Sequence, residues 1–171
     1  IAQALLGATE KTGDENVLLQ MALARIKQLS AHEIGHTLGF AHNFAASFKN
    51  RASVMDYPHP FVQLINNEID LSNAYAKGIG AWDKVAVAYS YQDFPKNTNK
   101  QVALNKIIQN SIQKGFTFIS DKDARAKGGA HLKAHLWDNG TNSSKELHRV
   151  LKVRAQAIAN FSENNIHRNE P

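Results

Sequence analysis

Residues 32–42 read HEIGHTLGFAH, and that pattern restricts the path of the chain more than any other part of the sequence. His32 and His36 are four apart, so on an α-helix both imidazoles leave one face, a single turn apart. Glu33 follows the first histidine directly, Gly39 comes three residues after the second, and His42 three residues after the glycine. A helix that stops at a left-handed glycine and doubles back returns the third imidazole to the other two. The spacing predicts this helix over about residues 16–39, with Leu18, Leu19, Ala22, Ile26 and Leu29 as its inward stripe. Asp14 is placed to cap its start, after a turn at Gly13.

The chain contains no cysteine, so a metal would have to be held by His, Asp, Glu or Tyr. Three neutral imidazoles with one open position suit a catalytic zinc, whereas a closed structural site needs a fourth protein ligand at short spacing. Glu33 need not touch the ion. It can take a proton from the water that zinc activates, as that water attacks a carbonyl, and return it to the departing amine. The expected site is therefore one catalytic Zn2+ per chain, with His32, His36 and His42 as ligands and Glu33 as general base and acid in amide hydrolysis.

The remainder is expected to be mainly helical. Residues 41–60 hold Asn43, Asn50, Ser53, Pro58 and Pro60 and should be irregular. Residues 65–75 are mixed, with room for one helical turn. A short helix is expected over 81–91, with Trp82, Val85, Ala86 and Tyr89 inward and Asp83 anchoring its start. Another is expected over 101–114, with Leu104, Ile107, Ile108 and Ile112 inward and Gly115 as the stop. Residues 116–119 form the best candidate strand, 121–129 and 131–142 read as loop, and a last helix is expected over 144–161. Its expected inner stripe is Leu147, Val150, Leu151, Arg154 and Ile158, before a polar tail from Asn164. His131, His135, His148 and His167 have no ligand spacing to one another. The 20 Lys and Arg against 15 Asp and Glu give a net charge of +5, but they are dispersed, without the concentrated patch that nucleic-acid recognition requires. No stretch approaches the ~20 apolar residues of a membrane span.

The motif at His32, Glu33, His36, Gly39 and His42 resembles that of the metzincin clan of zinc endopeptidases. A second mark of that clan is a methionine in a tight turn beneath the metal, and ASVMDYP supplies Met55, thirteen residues after His42. The resemblance implies that the Met55 thioether floors the three imidazoles. It also gives Tyr57 a place near the metal, as ligand or as hydrogen-bond donor to the oxyanion, a task suited to a phenol; packing is the other reading of Tyr57. Phe61, Val62 and Leu64 follow and are candidates for the wall of a substrate pocket. GIGAWDKVAVAYSY from Gly78, HLWDNG from His135 and ELHRVLKVRAQAIANFSENNI from Glu146 extend the likeness to large, multi-domain, exported bacterial metalloproteases, which implies an extracytoplasmic location.

The implied fold is a mainly α, metzincin-like zincin forming one domain over 1–171. Residues 14–60 would carry the active-site helix, zinc loop and Met-turn, and 61–171 a mostly helical C-terminal subdomain. The N-terminal mixed sheet of a metzincin has no room before the helix, so the chain is expected to be part of a larger peptidase. Its partners would then be a peptide or protein substrate and the N-terminal portion of the same polypeptide. The helix face that such a sheet would cover should lie exposed, which invites dimerisation. Metal binding is expected to survive in this piece, with weak peptide cleavage. Two other functions fit less well: hydrolysis of a non-peptide amide, and a non-catalytic zinc-stabilised scaffold or interaction module, for which Glu33 would have no use.

Overall fold

The computed structural model describes residues 15–124, 127–128 and 131–161; the expected cap at Asp14 and the tail from Asn164 lie outside them. Among the described residues the chain is mainly helical. Its elements are helix α1 (Glu15–Thr37), a 3-10 turn (Ser47–Lys49), strands β1 (Gln63–Ile65) and β2 (Glu68–Asp70), and helices α2 (Ala81–Tyr91), α3 (Lys100–Gln113), α4 (Asp121–Ala124) and α5 (Ser143–Ala159). They fall into two compact units that interleave along the sequence. Of the described residues, one takes those in 15–27, 60–76 and 142–161, the other those in 28–59 and 77–141.

In the first unit, residues 65–75 are not helical. β1 and β2 pair antiparallel, Gln63 opposite Asp70 and Ile65 opposite Glu68, around Asn66 and Asn67. Both asparagines are left-handed, at φ 52° and 63°, as a two-residue hairpin turn matched to the twist of its strands requires. Met21 of α1, Val62, Leu71, Ala74 and Val153 of α5 form the core, with Val17, Leu64, Ile69 and Tyr75 against it.

The expected inner stripe of α5 is wrong. Leu147, Val150, Leu151 and Ile158 are exposed. The inward face instead carries Glu146, Arg149 and Val153. Arg149 decides this orientation. Its guanidinium pairs with Glu146 at 2.6 Å, donates to the Val62 carbonyl and covers the Phe61 ring, 4.4 Å from its centroid. A planar cation that meets a carboxylate, a carbonyl and an aromatic face together fixes a helix face more firmly than leucines that can pack in many ways.

The stripe expected on α1 is wrong for a similar reason. Leu19, Ala22 and Ile26 are exposed and Leu29 half-buried, while Met21, Gln28, His32 and Gly35 face inward; the Leu18 side chain lies outside what the structure describes. The face that carries the histidines is the buried one, and the richer apolar face lies outward.

In the second unit α2 and α3 pack together. Both lie within a residue of their expected bounds, but Tyr89 and Ile112 are exposed and Asp83 and Ser111 buried. Asn99 caps α3 by accepting from the Val102 N–H at 3.2 Å. Residues 116–119 form no strand. Their hydrogen bonds go to a loop: the Ile119 carbonyl accepts from Phe44 N–H at 2.8 Å, and the Asn43 side chain bridges the Ile119 N–H and the Thr117 carbonyl. Phe44, Ala45, Ile119 and Ala134 are the buried core here. The charged segment from residue 121 begins with one helical turn, α4, where loop was expected.

The left-handed hairpin turn makes a direct prediction. Asn67→Gly removes the residual cost of a side chain at φ 63° and should stabilise the chain by about 0.5 kcal/mol, read as a rise in thermal midpoint of roughly 1–2 °C. A lower midpoint would mean that Asn67 contributes a contact that outweighs its backbone cost.

Candidate metal centre

The three histidines reach one point by three different backbone devices. His32 and His36 stand a turn apart on α1. The helix then ends in a paired turn: Gly39 N–H donates to the His36 carbonyl at 2.9 Å and Phe40 N–H to that of Gly35 at 3.0 Å. Gly39 has φ 85°, which is the left-handed stop expected from the sequence and is the conformation glycine tolerates. Beyond it, Asn43 N–H donates to the Met55 carbonyl at 2.7 Å, which secures the chain immediately after His42.

The imidazole Nε2 atoms of His36 and His32 are 3.0 Å apart, and those of His36 and His42 3.2 Å. Each Nδ1 is committed elsewhere, to the Val54 carbonyl at 2.7 Å from His32, the Phe40 carbonyl at 2.9 Å from His36, and Asp121 Oδ2 at 2.7 Å from His42. A carbonyl or carboxylate oxygen only accepts, so each Nδ1 carries a hydrogen, and a ring with no second proton turns a bare Nε2 lone pair inward. Three lone pairs so close repel one another unless a cation lies between them. Nitrogens about 2.0–2.1 Å from a tetrahedral ion such as zinc would stand about 3.3 Å apart, close to the two separations that His36 makes, and the three ligand atoms all lie within 4.8 Å of one another, so the set could hold a metal ion. Among the described residues this is the one group of three or more His, Cys, Asp or Glu side chains able to hold a metal ion. His32 is fully buried. Burial is the main reason its imidazole is pushed below the ordinary histidine range; the His36 and His42 rings push the same way, against the Val54 hydrogen bond and the Glu33 charge.

Met55 lies directly under the helix. A Cβ at Gly35 would overlap the Met55 sulfur and come within 3.2 Å of its methyl carbon, so the glycine between the two helical ligands is what admits the thioether. Tyr57, two residues on, lays its ring 4.5 Å from that of His32 and 4.9 Å from that of His42, centroid to centroid. Glu33 is exposed on α1. Phe61, Val62 and Leu64 belong to the other unit, where Val62 is buried in the core and Leu64 packs against it, and Phe61 underlies Arg149.

The chain belongs to the Met-zincin family. A family model of that description matches residues 14–171, nearly all of the chain, and the likeness is at the level of the family. No curated protein and no solved structure matches it.

Several residues around this Met-zincin site could not be placed there from the sequence. Asp121 is 79 positions from His42, in a segment that reads only as charged loop. Asn43, adjoining the motif, looks like an ordinary turn residue, yet it is buried and its side chain accepts from Ala45 N–H as well as bridging residues 117 and 119. Trp137 lies 6.0 Å from the Tyr57 ring and stacks on His59 at 5.4 Å. It holds φ 75°, an unfavourable conformation for a bulky side chain, of order 1–3 kcal/mol. Asp56, between Met55 and Tyr57, is also buried. Desolvation raises its carboxyl to about 7 from 3.8, with the Asp138 charge adding to the shift and N–H donors from Tyr57 and Ser47 opposing it.

Two predictions come from these groups. Asp121→Asn should weaken zinc binding about 10- to 100-fold, measured by competition with a chromophoric chelator, because the carboxylate that orients His42 and strengthens it as a ligand is gone. For Asp56, the folded state keeps a proton that the unfolded chain loses above about 3.8, so stability falls as pH rises from about 4 to 7 and then levels. Asp56→Asn should abolish that fall. In the metal-free protein the variant should gain up to about 4 kcal/mol over the parent at pH 8 and nothing from this source at pH 3; equal denaturation midpoints at pH 8 would show that Asp56 ionises freely.

Proposed function

We propose that this Met-zincin chain is the catalytic region of a zinc-dependent endopeptidase. The convergence of three Nε2 lone pairs, each fixed by an acceptor behind its ring, carries this reading. Bound by His32, His36 and His42, zinc would act as a Lewis acid on the scissile carbonyl and make water acidic enough to ionise near neutral pH.

The chain's own groups supply the remaining chemistry. Glu33, next to the first ligand and open to solvent, takes one proton from the attacking water and delivers it to the departing amine nitrogen. Water and an amide are consumed, and a carboxylic acid and an amine form. Tyr57, with its ring against two of the ligands, donates its hydroxyl hydrogen to the carbonyl oxygen as negative charge develops. Met55 and Gly35 keep the floor of the site apolar and tightly packed, which holds the ligand rings in their rotamers.

Glu33→Gln tests this directly. Zinc content should stay at about one ion per chain, since Glu33 is no ligand, while cleavage of an unfolded protein substrate should fall at least about 100-fold. Undiminished cleavage by the zinc-loaded variant would remove Glu33 from the mechanism. A biological activity that survives the substitution would favour a zinc-stabilised scaffold.

A further inference from the structure

We propose that Asp83 is a positioning residue for the metal centre, acting on His32 through Ser53 and the peptide group that joins Val54 to Met55. The proposal rests on His32 being a ligand, as above, and concerns what stands behind that ligand. Asp83 is 51 positions from His32 in the sequence and belongs to α2.

The route is continuous. The His32 Nδ1–H donates to the Val54 carbonyl at 2.7 Å. The N–H at the other end of the same peptide group, on Met55, donates to Ser53 Oγ at 2.9 Å. The Ser53 hydroxyl in turn donates to Asp83 Oδ1 at 2.5 Å. The second carboxylate oxygen accepts from Val54 N–H at 2.9 Å and from Gly80 N–H at 2.6 Å. Asp83, Ser53 and His32 are all buried. Three donors therefore converge on a group that can only accept, which is why a carboxylate suits this position: an amide would turn its own N–H2 toward one of them.

In a buried setting such a chain polarises along its length. The Asp83 charge draws the Ser53 hydrogen, which makes Ser53 Oγ a stronger acceptor for Met55 N–H. The peptide group is polarised in turn, and its Val54 oxygen holds the His32 hydrogen more firmly. The ring is fixed with the hydrogen on Nδ1, and its Nε2 becomes the better donor to a metal. The three ligands are thus supported unequally: His42 by a carboxylate directly, His32 by a carboxylate through a relay, and His36 by a neutral carbonyl. The carboxylate also grips the Met-turn at Ser53 and Val54 and the start of α2 at Gly80. There the fit is tight, because a Cβ on Gly80 would run into the Ala52 carbonyl.

Ser53→Ala separates the relay from the bracing. It removes the hydroxyl between Asp83 and Met55 N–H and leaves the bonds from Asp83 to Val54 and Gly80. Zinc affinity should fall about tenfold by chelator competition. In the metal-free protein, proton–nitrogen correlation of the His32 ring should move from a pure Nδ1–H form toward a mixture of tautomers. Ser53→Thr, which restores the hydroxyl, should recover the parent's ring signals and most of its affinity. Asp83→Asn should lose affinity further, together with stability; if it does not fold, the Ser53 pair decides the matter. Parent-like zinc affinity and unchanged His32 nitrogen signals in Ser53→Ala would overturn the proposal. A parent that takes up no zinc would overturn the metal reading, and the ring signals of the metal-free variants would still judge the relay.

Discussion

The hydrogen bond behind each imidazole is the constraint on which the rest of the site depends. Left to themselves, three neutral histidines would rotate, share protons and point their lone pairs apart. Here an oxygen stands at every Nδ1, and each oxygen comes from a different part of the second unit: the loop at Val54 for His32, the helix-ending turn for His36, and α4 for His42. Residues 52–57, the reversal at Gly39 and the single turn at Asp121 look irregular when viewed alone. Viewed from the rings, each delivers one acceptor to one nitrogen.

This division of labour explains what could be read in the sequence. The three histidines, the helix that carries two of them and the glycine that ends it are all local, set by a four-residue period and one left-handed residue. Met55 was singled out through resemblance, and it lies against Gly35 of the helix. The supporting groups were not legible. Asp121 reaches His42 from 79 positions away and Asp83 reaches Ser53 from 30, and a lone aspartate in a charged loop or at the start of a helix gives no sign of its partner. Helices α2 and α3 were bounded well because their stops and starts are local as well.

The expected faces failed for one physical reason. Counting apolar residues assumes that the buried side of a helix is the greasiest side. On α1 the buried side is the one with His32 and Gly35, and on α5 it is the one with Glu146 and Arg149; in both, polar groups with several partners outrank leucines. The strand expected at 116–119 failed differently. A strand needs another strand, and the partner of this segment is the Asn43–Phe44 loop. The hairpin was overlooked because two asparagines, rather than the commoner asparagine and glycine, take the left-handed turn.

The thioether under the helix has a further consequence. Methionine oxidises to a sulfoxide by gaining an oxygen on sulfur, and the Met55 sulfur stands where Gly35 leaves no room even for a methyl group. While the turn is closed, an oxidant has no approach to a side chain that is 3% exposed. Once the turn opens and the sulfur is oxidised, the added oxygen prevents it from seating again. The rate at which this thioether is oxidised is therefore set by how often the turn opens and only secondarily by how much peroxide surrounds it.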